Sequence, residues 1–220
     1  MHLRYNAPLT LTFSILAVLI LGLKSLLGPE FMDRYFTLWP DFEPARPLSY
    51  FRLLSYTLGH FDRSHLVGNL SFLLLLGPIL EERYGAWRLF GMMLFTTLTT
   101  AGINLLFFGQ AILGASGIVF MFIVLVSFVN VRRGTIPLTF VFVFSLYMVQ
   151  EISASFETDQ VSQLAHIVGG ACGAMFGFRQ DGDEPPEAEP GMAGLEEQED
   201  DPPKSDESEP DDASDKNRYL

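Results

Sequence analysis

The stretch AILGASGIVFMFIVLVSF, residues 111 to 128, puts a serine between glycines at the head of one of the most apolar runs in the chain. Glycine is a poor helix residue. A hydroxyl surrounded by hydrocarbon needs a hydrogen-bond partner. Gly114-Ala115-Ser116-Gly117 brings both to one place. The glycines remove side-chain bulk so that a second backbone can come close, and the serine is then the group offered to it. An apolar run of this length is a candidate bilayer span, so this segment sets the class of the fold.

The rest of the chain agrees. Its 220 residues are 49% hydrophobic and 18% charged, with a mean hydropathy of +0.26. A spanning helix needs about 20 mainly apolar residues. Six candidates occur, at about 7–27, 65–82, 87–108, 114–131, 135–152 and 161–178. The first carries Lys24 near its end and no small-x-small cleavage site behind it, so it reads as a retained anchor and not as a signal peptide. The expectation is an all-α polytopic membrane protein, a bundle of six transmembrane helices.

The net charge of −12 is concentrated at one end. Residues 181–220 hold 16 Asp and Glu against 3 Lys and Arg, a net of −13, which leaves about +1 for residues 1–180. The acidic stretch is rich in Pro, Ser and Gly and poor in apolar residues, so it cannot bury a core. It is expected to be a disordered cytoplasmic tail, with residues 1–180 as the membrane domain. No basic patch suggests nucleic acid. Cys172 is the one cysteine, which excludes an intrachain disulfide.

Cytoplasmic loops are enriched in Lys and Arg. With six spans, one side receives both termini and Arg4, Arg83, Arg88, Arg132, Arg133 and Arg179. The other receives Arg34, Arg46, Arg52 and Arg63, all in one long loop, 28–64, among several acids. The bias puts both termini in the cytoplasm of a plasma (inner) membrane protein. The long loop also contains Pro29, Pro40, Pro44, Pro47, Phe31, Trp39, Phe42 and Tyr50. Such a mixture suits a segment lying in the interface, half in lipid.

Spans 2, 4 and 6 then run the same way, and each ends at a basic residue that serves as a ruler. At about 1.5 Å per residue, Ser116 lies about 24 Å above Arg132, His166 about 20 Å above Arg179 and Asn69 about 21 Å above Arg83. Three polar groups therefore share one depth in the outer part of the bilayer. A polar residue there is costly and faces protein or a water-filled cavity. Each has a plain explanation alone: a serine can bond to its own helix, and a histidine or asparagine can join two helices. Together they suggest more. His65 and Asn69 are i and i+4, on one helix face. Gly169, Gly173 and Gly177 follow His166 at four-residue spacing, a face that admits another backbone closely. A serine and a histidine drawn within hydrogen-bond reach form a base-activated nucleophile. The start of span 4 adds unpaired amides that favour developing negative charge. Phe120 shares the serine's face and could hold the imidazole. No acid lies inside spans 4 or 6, so the pair is expected without a third member.

These residues resemble the rhomboid family of intramembrane serine proteases over residues 5–180. Gly114-Ala115-Ser116-Gly117 matches the family's GxSG. His65-Leu66-Val67-Gly68-Asn69 matches its HxxxN. Ala165-His166 with Gly169 and Gly173 matches its last-span histidine motif, and Phe51-Arg52 sits where the family often has Trp-Arg. The resemblance implies Ser116 as nucleophile, His166 as general base, and His65, Asn69 and the Ser116 amide as the oxyanion hole. Gly114, Gly117, Phe120, Gly169 and Gly173 would support the site. It implies no metal and no cofactor, and it implies single-span transmembrane proteins in the lipid bilayer as substrates. Phe120 stands where many bacterial members have Tyr, so stacking survives and the hydroxyl does not. Two rivals stand beside this reading. One is a catalytically inactive rhomboid-like protein that binds membrane clients. The other is a small transporter, which would want an ion-coupling acid inside a span. The natural substrate and the oligomeric state are not legible.

Overall fold

A computed structural model describes residues 6–129, 138–139, 141–142, 145–146 and 160–180. Most of the expected span at 135–152 falls outside these, and all of the acidic segment 181–220 does.

The chain begins with an apolar helix, α1 (Pro8–Leu27). Pro8 suits the first helical turn, where its missing N–H costs nothing. Gly28, at φ 89°, stops the helix. The 28–64 loop contains two short helices, α2 (Pro29–Tyr35) and α3 (Pro47–Ser55), and a single 3₁₀ turn over Tyr56–Leu58. Each helix opens on a proline, so Pro29 and Pro47 mark helix starts. Next come α4 (Arg63–Tyr84) and α5 (Ala86–Ile103), the latter ending in a π-helical turn at Asn104–Phe108. After a short extended stretch follow α6 (Ser116–Val126) and, further on, α7 (Gln160–Gln180). Helix α6 is shorter than the 114–131 expected, because Gly114 and Ala115 belong to the turn before it and the helical pattern loosens into turns at 127–129.

Helices Pro8–Leu27, Arg63–Tyr84 and Ala86–Phe108 are each long and apolar enough to cross a membrane, and Ser116–Val126 is a shorter apolar helix. The apolar side chains they expose include Leu19, Leu26, Val67, Leu75, Phe90 and Phe95. So much exposed hydrocarbon suits lipid and not water. This is the architecture of a polytopic membrane protein.

Helix α6 is the hub. It packs on α7, α4 and α5. Ile118, Met121, Phe122, Val124 and Leu125 are all at most 2% exposed, so this helix is covered over most of its circumference, and the face of Ser116, Phe120 and Ile123 is partly exposed. Leu73 and Leu80 of α4, Met92 and Met93 of α5, and Val168 and Cys172 of α7 close around it. Helix α1 packs on α4 instead. At that crossing Gly77 abuts Thr10, with no room for a β-carbon.

The start of α1 is held by a carboxylate from another helix. Glu81, 6% exposed, accepts from the amides of Leu9 (2.9 Å) and Thr10 (3.0 Å) and from Thr10 Oγ1 (2.9 Å). Helix N-terminal amides have no partner of their own and carry partial positive charge, so a carboxylate satisfies both demands. Glu81→Ala leaves these donors buried and unmatched, at about 1–3 kcal/mol. The variant should unfold at lower temperature in detergent, as thermal denaturation would record.

Candidate active site

The site forms around the four residues 114–117. Gly114 has φ 124°, a conformation that side chains rarely adopt. Its N–H donates to Tyr56 O (2.9 Å). Two residues earlier, Ile112 exchanges backbone hydrogen bonds with Leu38 (2.9 and 3.0 Å). The 28–64 loop thus grips the chain just ahead of the serine by its backbone. Ser116 is the first residue of α6, so its amide and those after it lie in the turn whose N–H groups lack intrahelical acceptors.

One side of this turn faces α4. A β-carbon on Gly114 would fall 2.8 Å from His65 Cε1, 2.9 Å from His65 Nε2 and 3.8 Å from Asn69 Nδ2. Both side chains of the His65/Asn69 face therefore come to the GASG turn. Their helix is started by Asp62, whose carboxylate accepts from the His65 amide (2.8 Å). Asp62 is thus an N-cap, one of the strongest local signals for where a helix begins.

The other side faces α7. A β-carbon on Gly117 would lie 3.2 Å from Ala165 O, the carbonyl just before His166. A β-carbon on Gly169 would collide with the Gly117 carbonyl, and one on Gly173 would come within 2.6 Å of Met121 O. Gly177 rests against the Phe128 ring. The two helices touch backbone to backbone along this glycine line. At its upper end the Phe120 ring lies against the His166 ring, with centroids 4.1 Å apart and planes at 37°. Ser116, Phe120 and His166 are each partly exposed, whereas Asn69 is buried.

Among the described residues, no cluster of His, Cys, Asp and Glu could hold a metal ion. The residues available for chemistry here are a hydroxyl, two imidazoles, an amide side chain and helix-start amides.

A family model described as "Rhomboid domain" matches residues 47–180, more than half of the chain. This protein belongs to the rhomboid family. Its sequence is also 30% identical over 113 residues to the "Rhomboid protease GlpG" of Serratia proteamaculans (strain 568), a match covering 51% of this chain and 40% of that relative. The chain therefore aligns with less than half of that rhomboid's length.

Two features of this rhomboid went unread in the sequence. The aromatics of the 28–64 loop suit an interfacial segment, and part of the loop also bonds directly to the extended stretch before Ser116. The other is His60, which lies outside every expected span and in none of the motifs. It is fully buried, and its Nδ1 lies 3.2 Å from Leu58 O while its Nε2 lies 3.1 Å from Asn69 Nδ2. Its ring also meets the His65 ring edge-on at 5.0 Å. The five-residue spacing from His60 to His65 was the available signal, but it crosses the helix cap at Asp62 and so has no helical phase.

Burial lowers the His60 pKa from 6.5 to about 4; the neighbouring His65 adds to the drop, and the Leu58 carbonyl opposes it. The folded protein therefore holds His60 neutral where the unfolded chain would protonate it. A group with a depressed folded pKa gains stability above its unfolded pKa, and that gain is lost as pH falls toward the folded value. Stability of the detergent-solubilised protein should thus decline as pH drops from about 6.5 to about 4. The slope over that window should be smaller in His60→Gln, as pH-dependent denaturation would reveal.

Proposed function

We propose that this rhomboid is an intramembrane serine endopeptidase that cleaves transmembrane segments of single-span membrane proteins. In this reading residues 1–180 form a six-span domain with both termini in the cytoplasm, and 181–220 is an appended acidic tail. Ser116 is the nucleophile and His166 the general base. His65, Asn69 and the Ser116 amide make the oxyanion hole.

One observation carries the reading. The GASG turn is pressed between the His65/Asn69 face of α4 and the Ala165-His166 segment of α7, with glycine wherever the backbones meet. A bundle that needed only stability would be served as well by apolar groups in place of the serine and the imidazoles. Here the close approach occurs at the one turn where hydroxyl, imidazoles and amide side chain converge.

The chemistry follows from these groups. His166 takes the Ser116 proton as Oγ attacks the scissile carbonyl, forming the C–O bond. The carbonyl oxygen becomes an anion beside the helix-start amides, Asn69 and His65, where donors are already aimed. The C–N bond then breaks, and the proton passes from His166 to the leaving amine. Water enters from the extracytoplasmic side and hydrolyses the acyl-enzyme with His166 again as base. Phe120, whose ring lies against that of His166, limits the imidazole's freedom.

The test uses a fluorescent fluorophosphonate and a panel of single-span membrane proteins, with the purified full-length chain. The wild type should take up the label and cleave members of the panel, and Ser116→Ala and His166→Ala should do neither. Asn69→Ala should turn over about 10²–10³ more slowly, the usual loss for one oxyanion donor, or about 2.7–4 kcal/mol. Cleavage by Ser116→Ala at the wild-type rate would reject the assignment. A wild type that binds the panel but neither labels nor cleaves would favour the inactive client-binding alternative.

A further inference from the structure

We infer that His60 is a positioning residue that aims the Asn69 amide by accepting a hydrogen bond from it through Nε2. The inference rests on the protease reading of Ser116 and Asn69 above.

The proton inventory leads to this assignment. A backbone carbonyl can only accept, so the 3.2 Å contact between His60 Nδ1 and Leu58 O requires a hydrogen on Nδ1. A neutral imidazole has one N–H, so Nε2 is then a bare acceptor. Its partner at 3.1 Å is the Asn69 side chain. Only the NH₂ end of an amide can donate, so Asn69 must turn Nδ2 toward His60 and not Oδ1. The Leu58 carbonyl thus selects the histidine tautomer, and the tautomer selects the amide orientation.

Nδ2 carries two hydrogens, and His60 uses one. Nδ2 lies 3.8 Å from where a Gly114 β-carbon would stand, so the same NH₂ faces the GASG turn. An amide turned the other way would offer that turn a carbonyl oxygen, which repels an oxyanion. The difference between a donor and an acceptor at this place is therefore set by a residue nine positions earlier, outside the helix.

The surroundings leave His60 few alternatives. The ring is fully buried, and its other aromatic neighbour is His65, in contact edge-on. A second proton on His60 would meet no acceptor on Asn69 unless the amide flipped. A histidine needed only to fill space could be replaced by an apolar ring, which would not present a bare nitrogen to an asparagine.

The test follows fluorophosphonate labelling of the full-length protein in detergent, resolving the limiting rate from the half-saturating probe concentration. His60→Leu should lower the limiting rate about tenfold or more with little change in half-saturation, since Asn69 loses its aim but remains present; the 10²–10³ of a lost donor is the ceiling. His60→Gln, which can supply an acceptor oxygen near the lost Nε2, should recover most of the rate. In the Asn69→Ala background, His60→Leu should cause no further loss. A loss that multiplies with Asn69→Ala, an unchanged rate in His60→Leu, or a folded His60→Gln as slow as His60→Leu would overturn the role. Should the leucine variant not fold, ¹⁵N NMR of the wild-type imidazoles still decides: a protonated Nδ1 and bare Nε2 on His60 are expected, and the opposite tautomer would overturn it. If Asn69→Ala labels at the wild-type rate, or Ser116→Ala still labels, the protease reading itself has failed. If those two behave as assigned, any failure belongs to His60 alone.

Discussion

The constraint on which the rest depends is the contact of two helix backbones at Gly117 and Gly169. Helices with ordinary side chains keep their axes about 8–10 Å apart. Here a β-carbon at Gly169 would overlap the Gly117 carbonyl, so the separation is set by main chain alone. Lipid supplies little hydrophobic drive for helices to join, since a neighbouring helix is no more apolar than an acyl chain. Dispersion between close backbones, repeated at Gly173 and extended by the Phe128 ring on Gly177, provides the attraction instead. The histidine of α7 is carried by this contact to the serine end of α6, and the Phe120 ring fits against it. Glycine here works by shape.

The other half of the site depends on a turn and not on a crossing. Gly114 adopts a positive φ and lets the chain fold tightly enough for His65 and Asn69 to lie against it. The turn is anchored from outside the bundle by Leu38 and Tyr56, whose backbones bond to Ile112 and Gly114. Tyr56 is itself fixed by its hydroxyl, which donates to Thr97 O (3.0 Å). The 28–64 loop is thus a clamp on the segment that presents Ser116. Arg52 ties this loop internally, its Nε donating to Arg34 O (2.8 Å). Phe51 meets Phe36 edge-on at 6.1 Å, so the loop has an aromatic seam. Asp62 and His60 belong to the same design. One starts the helix that bears His65 and Asn69, and the other contacts the Asn69 amide from below the cap.

Much of this could be read before any coordinates. Hydropathy and the glycine spacing carry the bundle, because in lipid each helix must satisfy its own backbone and reveals itself as a local apolar run. The depth ruler brought Ser116, His166 and Asn69 to one level because helical rise is fixed. It could not reveal Glu81, since an acid at a span end reads as an ordinary boundary charge until α1 is seen to begin beside it. It could not reveal the Leu38 bridge either, because two residues joined across so long an interval leave no periodic trace.

The long apolar runs, the places of the small residues and the polar groups that share a depth are all legible in the order of the residues. Those are local properties, fixed by composition and by the geometry of one helix. Tertiary structure alone decided the partner of each polar group: that His60 meets Asn69, that Glu81 caps α1, and that a loop backbone holds the serine turn. Hydrogen bonds between distant segments depend on where chains cross in space, and no one-dimensional pattern encodes the crossing.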